Sequence, residues 1–162
     1  MMYVTVGTMF MDFPRLINAM DAVAKSSDEE IIIQTGMGAT VPQYATHFDF
    51  KPREEVKSIQ ARARAIVCHA GIGCVQDALA ACRPLMVVPR LKRWGEHMND
   101  HQLDLARAVE ARGWGRMVMD IAELATLCES PPPTPLHYRP ASVALIDAVR
   151  NDIFTLTGAP AS

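Results

Sequence analysis

Three stretches of the 162-residue chain carry residue types whose spacing could do chemistry. In His69-Ala70-Gly71-Ile72-Gly73-Cys74-Val75-Gln76-Asp77, two glycines stand one residue apart where a strand should give way to a helix. Such a junction leaves N–H groups uncovered at the positive end of the helix, a good anion site into which a diphosphate would fit. Asp77, about one turn into that helix, could accept hydrogen bonds from a ribose diol. The plainer alternative is that the glycines only allow strand and helix to pack closely while Asp77 complements the helix dipole.

The second stretch, Pro89 to Gln102, gathers Arg90, Lys92, Arg93, His97, Asp100, His101 and Gln102. Its cations could neutralise a diphosphate or a sugar carboxylate, and the Gln102 amide could bond sugar hydroxyls as donor and acceptor. Simple solvation of each basic residue is the competing explanation. His97 and His101 are four apart and could share a helical face as zinc ligands, but no third ligand stands at a diagnostic spacing. The third stretch, Val6-Gly7-Thr8, offers a glycine for close backbone approach and a hydroxyl beside it. It lacks the third glycine of G-x-G-x-x-G, which argues against a nicotinamide or flavin dinucleotide.

These stretches need elements to position them. Short apolar runs alternate with longer amphipathic segments, the signature of repeated βα units. Strands are predicted at 3–6, 30–34, 46–50, 65–69, 85–89 and 115–118, and helices at 14–25, 54–63, 75–81, 99–112 and 121–127. Several strands are continuously apolar, as parallel strands covered on both faces should be. The expected fold is α/β: a single Rossmann-like, doubly wound, mostly parallel sheet with its ligand at the carboxyl ends of the strands. All three candidate stretches follow strands. Residues 1–128 would form this domain, 129–138 a proline-rich tether, and 139–162 a last helix and tail, with Val143, Ile146, Val149 and Ile153 on one helical face.

Bulk properties restrict the function further. A formal charge of -2 and a pI near 6.2 provide no basic footprint for nucleic acid. The four cysteines have neither disulfide-framework nor zinc-ribbon spacing, and the amino terminus has no signal-peptide pattern, so a reducing cytoplasm is expected. No window is apolar for the length of a membrane span, so any membrane association must come through a partner or a surface patch.

His69-Ala-Gly-Ile-Gly-Cys-Val-Gln-Asp-Ala-Leu, followed by Arg83-Pro-Leu-Met-Val-Val-Pro-Arg90 and Gly95-Glu-His-Met-Asn-Asp-His-Gln102, resembles the carboxyl-terminal domain of family 28 glycosyltransferases. The likeness runs from about Tyr3 to Val118. It is closest to the free-standing forms found in two-subunit enzymes of dolichol-linked and bacterial capsule or exopolysaccharide synthesis. The resemblance implies the donor half of a GT-B transferase, binding a UDP-sugar without a metal ion or other cofactor. A membrane-anchored partner would supply the lipid-linked saccharide acceptor, and the chain would sit in the cytoplasm, peripheral to the membrane. A docking subunit that holds no donor and a self-sufficient homodimer are the alternatives.

By matched position, the resemblance puts His69, Gly71, Ile72, Gly73 and Cys74 at the diphosphate, and Asp77 at the ribose. Asp100, His101 and Gln102 fall at the sugar, Phe50 near the uracil, and Gly7 and Thr8 on the loop facing the acceptor. Cys74 departs from the serine or threonine usual there, replacing a hydroxyl by a weaker thiol donor. Inversion by in-line displacement would leave charge on the departing UDP, for which the loop amides and Arg90 are the candidate stabilisers. The general base is expected on the partner, with His97 as the local alternative.

Overall fold

The computed structural model describes residues 1–135. Apolar runs form β1 (Met2–Thr5), β2 (Ile31–Gln34), β3 (Thr46–Phe48), β4 (Ile66–His69), β5 (Leu85–Val88) and β6 (Arg116–Met117). Amphipathic segments form α1 (Pro14–Ser26), α2 (Arg53–Arg62), α3 (Ile72–Ala80), α4 (His101–Ala111) and α5 (Glu123–Glu129), with a short 3-10 turn at Lys92–Trp94. The six strands make one sheet in the order β3-β2-β1-β4-β5-β6, and every pairing is parallel. The predicted doubly wound α/β sheet is therefore present.

Both faces of the sheet are covered. Val4, Ile33, Val67, Met86 and Val88 pack with Phe13, Leu16, Ile17 and Met20 from the α1 side and with Leu124 and Cys128 of α5. On the other face Tyr3, Ile66, Cys68, Leu85 and Val87 meet Ile59 of α2, Val75 and Leu79 of α3, and Leu105 and Val109 of α4. Each large aliphatic side chain removed from water there contributes roughly 1.5–3 kcal/mol. Strands β1, β4 and β5 are buried at every position, which explains their continuous apolarity.

Because β1 pairs with β2 on one side and β4 on the other, the connections leaving β1 and β4 diverge and open a crevice above their carboxyl ends. Asp12, at the end of the β1 loop, accepts from the N–H (3.0 Å) and hydroxyl (2.6 Å) of Thr40 and so ties the loops after β1 and β2 together. Asp21 of α1 accepts the N–H groups of Gln43, Tyr44 and Ala45 and fixes the approach to β3.

Element boundaries differ from the sequence expectation in informative places. Helix α3 begins at Ile72, three residues before the predicted start, so Gly73 and Cys74 lie in its first turn. Helix α4 begins at His101 because Asn99 and Asp100 turn the chain first; the Asp100 carboxylate accepts the Lys92 N–H at 2.8 Å. Strand β5 stops at Val88, since Pro89 has no N–H for the ladder. Residues 131–135 of the predicted tether have no regular structure, and the predicted last helix lies outside the described residues.

Candidate functional site

His69 ends β4, and its imidazole is held between two backbones. A Cβ added to either Gly7 or Gly71 would fall into the ring, and Gly7 also has φ +80°, so both positions require glycine. Burial, reinforced by the nearby Arg90 charge, pushes the His69 pKa down to about 4 and keeps the ring neutral near pH 7. Its Nδ1 is buried with no hydrogen-bond partner. Beneath it, the Thr5 hydroxyl accepts the Gly7 N–H (3.1 Å) and donates to Gln34 Oε1 (3.0 Å), to which the Tyr3 hydroxyl also donates (2.7 Å).

The chain then turns into α3. Gly71 is the extended N-cap residue, and no side chain caps the helix. Val75 is the first residue whose N–H reaches a carbonyl, that of Gly71 at 3.0 Å. Helix geometry therefore leaves the amides of Ile72, Gly73 and Cys74 for an outside acceptor. A Cβ on Gly73 would meet nothing within 4 Å, so this glycine faces open space rather than filling a packing constraint. The Cys74 thiol lies 4.0 Å from the Thr5 hydroxyl, and burial raises its pKa to about 11, so it stays protonated. On the second turn Asp77 is ion-paired with Arg53 at 3.0 Å. Phe50, half-exposed, lies three residues before Arg53 on the connection that follows β3.

The loop after β5 is more internally tied than its charge suggested. Arg90, expected to meet a departing phosphate, is instead fully buried: its guanidinium donates to the carbonyls of Val6 (3.0 Å), Asp12 (2.8 Å) and Glu96 (3.3 Å) and lies over Phe13. Its charge stands behind the loops rather than in the crevice. Gln102 is also buried and spends Oε1 on the Arg90 N–H at 3.1 Å. His97 and His101 stack edge to face with centroids 4.5 Å apart. Asn99 links them, its N–H donating to His97 Nδ1 at 3.4 Å and its side-chain oxygen meeting His101 Nδ1. Among the described residues no three His, Cys, Asp or Glu side chains converge to hold a metal ion.

The structure thus brings His69, Gly7, Gly71, Ile72, Gly73, Cys74 and Asp77 to the crevice above β1 and β4, with Thr8 exposed on the loop beside it. Asp100 and His101 are exposed on the β5 loop. Sequence reasoning missed Thr5 and Arg15, and it gave Glu96 no role beyond its place in the Gly95–Gln102 motif. Arg53 carried a positional signal as the last residue of the stretch Phe50–Arg53, whose backbone was expected near the uracil.

A parallel sheet with a glycine-lined helix amino terminus at its switch point defines an α/β domain of the doubly wound class. Residues 1–129 match the glycosyltransferase family 28 C-terminal domain, and the chain belongs to that family. It is 31% identical over 120 residues to the UDP-N-acetylglucosamine transferase subunit ALG13 of Homo sapiens, covering 68% of this chain and 10% of that protein. The chain thus spans about a tenth of the curated relative's length. An ALG13 solution structure superposes with a TM-score of 0.60 at 19% identity, covering 92% of this chain and 96% of that one. The Streptomyces sp. SF2575 glycosyltransferase SsfS6, complexed with thymidine diphosphate, superposes with a TM-score of 0.54 at 19% identity, covering 98% of this chain and 37% of that one.

Proposed function

We propose that this chain binds a UDP-sugar and serves as the donor-binding part of an inverting glycosyltransferase in polysaccharide synthesis. A separate membrane-associated subunit presents the lipid-linked acceptor. The observation that carries this reading is the uncapped start of α3, where free first-turn amides face open space at Gly73 and the Asp77 carboxylate follows one turn later. The amides would hold the diphosphate and, as the glycosidic bond to the sugar breaks, stabilise the charge gathering on UDP. Arg90 would add a positive field from behind the loops. This is the electrostatic role a divalent ion plays elsewhere, so donor binding needs no metal. The naming of the human relative as a transferase subunit, and the nucleoside diphosphate held by the Streptomyces enzyme, support the reading.

The His97 Nδ1 is already an acceptor for the Asn99 N–H, which puts the proton of the neutral ring on Nε2. His97 could then abstract a proton from an acceptor only after that bond is broken, which favours a base on the partner. Exposed large apolar side chains, among them Phe10, Met37, Phe50, Ile72, Trp94 and Met98, stand on the segments that follow the carboxyl ends of the strands. They suit a surface closed by another protein. Among the described residues no helix is long and apolar enough to cross a membrane, so attachment would come through that partner.

Calorimetric titration of the chain with UDP in EDTA, beside Asp77→Ala, tests the reading. Binding in EDTA that weakens about tenfold in the variant, the loss of one charge-assisted hydrogen bond, is expected. Absence of UDP binding by the wild-type chain would overturn it.

A further inference from the structure

Glu96 sits in the exposed loop between β5 and α4, yet its carboxylate turns back into the protein and is buried. Both oxygens are engaged. Oε1 accepts from Arg15 Nε at 2.7 Å, while Oε2 accepts from Arg15 Nη2 at 2.9 Å and from the Leu91 N–H at 3.0 Å. Arg15, in the first turn of α1, also donates to the Pro89 carbonyl at 2.8 Å, and its guanidinium lies 4.1 Å from the Trp94 ring centroid. From the opposite side Arg90 donates to the Glu96 carbonyl. The loop is therefore gripped at residues 89, 91, 94 and 96. Residues 97–101 project beyond that grip, joined mainly to one another and to Lys92.

A buried ion pair returns little net stability compared with apolar packing of equal volume, but a two-pronged guanidinium–carboxylate contact fixes geometry tightly. The pair joins α1 to the loop rather than to the sheet, so it determines where the loop lies and leaves the core as it is. Resting on the donor-site reading above, we infer that Arg15 and Glu96 are positioning residues: by clamping the loop at its base they set the arrangement of His97, Asn99, Asp100 and His101, and through it which donor sugar is accepted. Both side chains direct their hydrogen bonds to the base of the loop, away from the first turn of α3. Their loss therefore acts on the sugar and not on UDP.

The test is calorimetry of the wild-type chain and Glu96→Gln with UDP and with UDP-glucose, UDP-galactose, UDP-N-acetylglucosamine and UDP-glucuronic acid. Because Glu96→Gln strands the Arg15 charge and could unfold the chain, the Arg15→Gln/Glu96→Gln pair, neutral at both positions, is measured beside it, with circular dichroism to establish folding. The wild type should prefer one sugar. The folded variants should bind UDP within about twofold of wild type while that preference falls by about tenfold, equivalent to one misplaced hydrogen bond. Equal sugar preference in the wild type and a folded variant overturns the inference alone, as does a wild type that binds UDP and all four sugars equally. A wild type that binds no UDP overturns the donor-site reading, and the inference falls with it.

Discussion

Near pH 7 the His69 ring is neutral in the native chain, with a pKa of about 4 against 6.5 for a free imidazole. Between those values the unfolded chain takes up a proton that the native ring refuses. Stability therefore falls as pH drops from 6.5 towards 4, by at most about 3 kcal/mol. Glu29, whose pKa contact with Arg64 lowers to about 2, loses its contribution in a lower window, from 4.5 downwards. Urea unfolding at pH 7 and pH 4.5 should show a smaller acid loss in His69→Asn than in the wild type; equal losses would refute the assignment to His69. The two glycines after this histidine should respond in opposite ways. Gly71→Ala drives a Cβ into the His69 ring and should cost about 2 kcal/mol or more, seen as a lower melting temperature. Gly73→Ala meets open space and improves helix propensity, so it should hold or raise stability by up to about 1 kcal/mol, seen as an unchanged or higher melting temperature, while weakening UDP binding. In the sequence these glycines look alike. Only the packing of His69 separates a residue needed for fit from one that leaves room for a ligand.

At the scale of elements, α2 and α3 are bridged by the exposed Arg53–Asp77 pair. Exposed pairs contribute little to stability, about 0–1 kcal/mol, so Arg53→Ala should leave the melting temperature nearly unchanged. The same substitution frees Asp77 for a ribose, and UDP binding at low salt should tighten by roughly twofold to fivefold, within that energy. Weaker binding would mean that Arg53 itself contacts the nucleotide. Runs such as Ile66–His69 and Leu85–Val88 made the strands legible, because burial on both faces demands uninterrupted apolarity. The start of α3 was less legible: glycine at position 73 argues locally against a helix, and packing of Val75, Ala78 and Leu79 on the sheet overrides it. The ties made by Arg15, Glu96 and Asp12 left no sequence signal. They join residues distant in the chain, and nothing in the spacing of 15 and 96 reveals that they meet.

For the whole molecule, the apolar side chains on the connections above the sheet supply a test of assembly. Phe10 and Met98 are about three-quarters exposed, so replacing both by serine should leave the melting temperature and UDP affinity as they are. Sugar transfer measured after adding membranes from the cell of origin should fall, and unchanged transfer would place the partner on a different face. The alternation of apolar runs with amphipathic segments led to the expected doubly wound, mostly parallel α/β sheet without predicting that every strand pair is parallel. Basic charge on the β5 loop misled in one respect: Arg90, outwardly a ligand cation, is consumed by three backbone carbonyls.

The sheet also tapers. Its inner strands have four residues each, whereas the two outermost, β3 and β6, have three and two. An incoming polypeptide seeking to extend the ladder would find only a few free amides and carbonyls on either flank. Within the described residues the flanks of the sheet thus offer little for a second copy to pair with, while the apolar loops stay open to a neighbour.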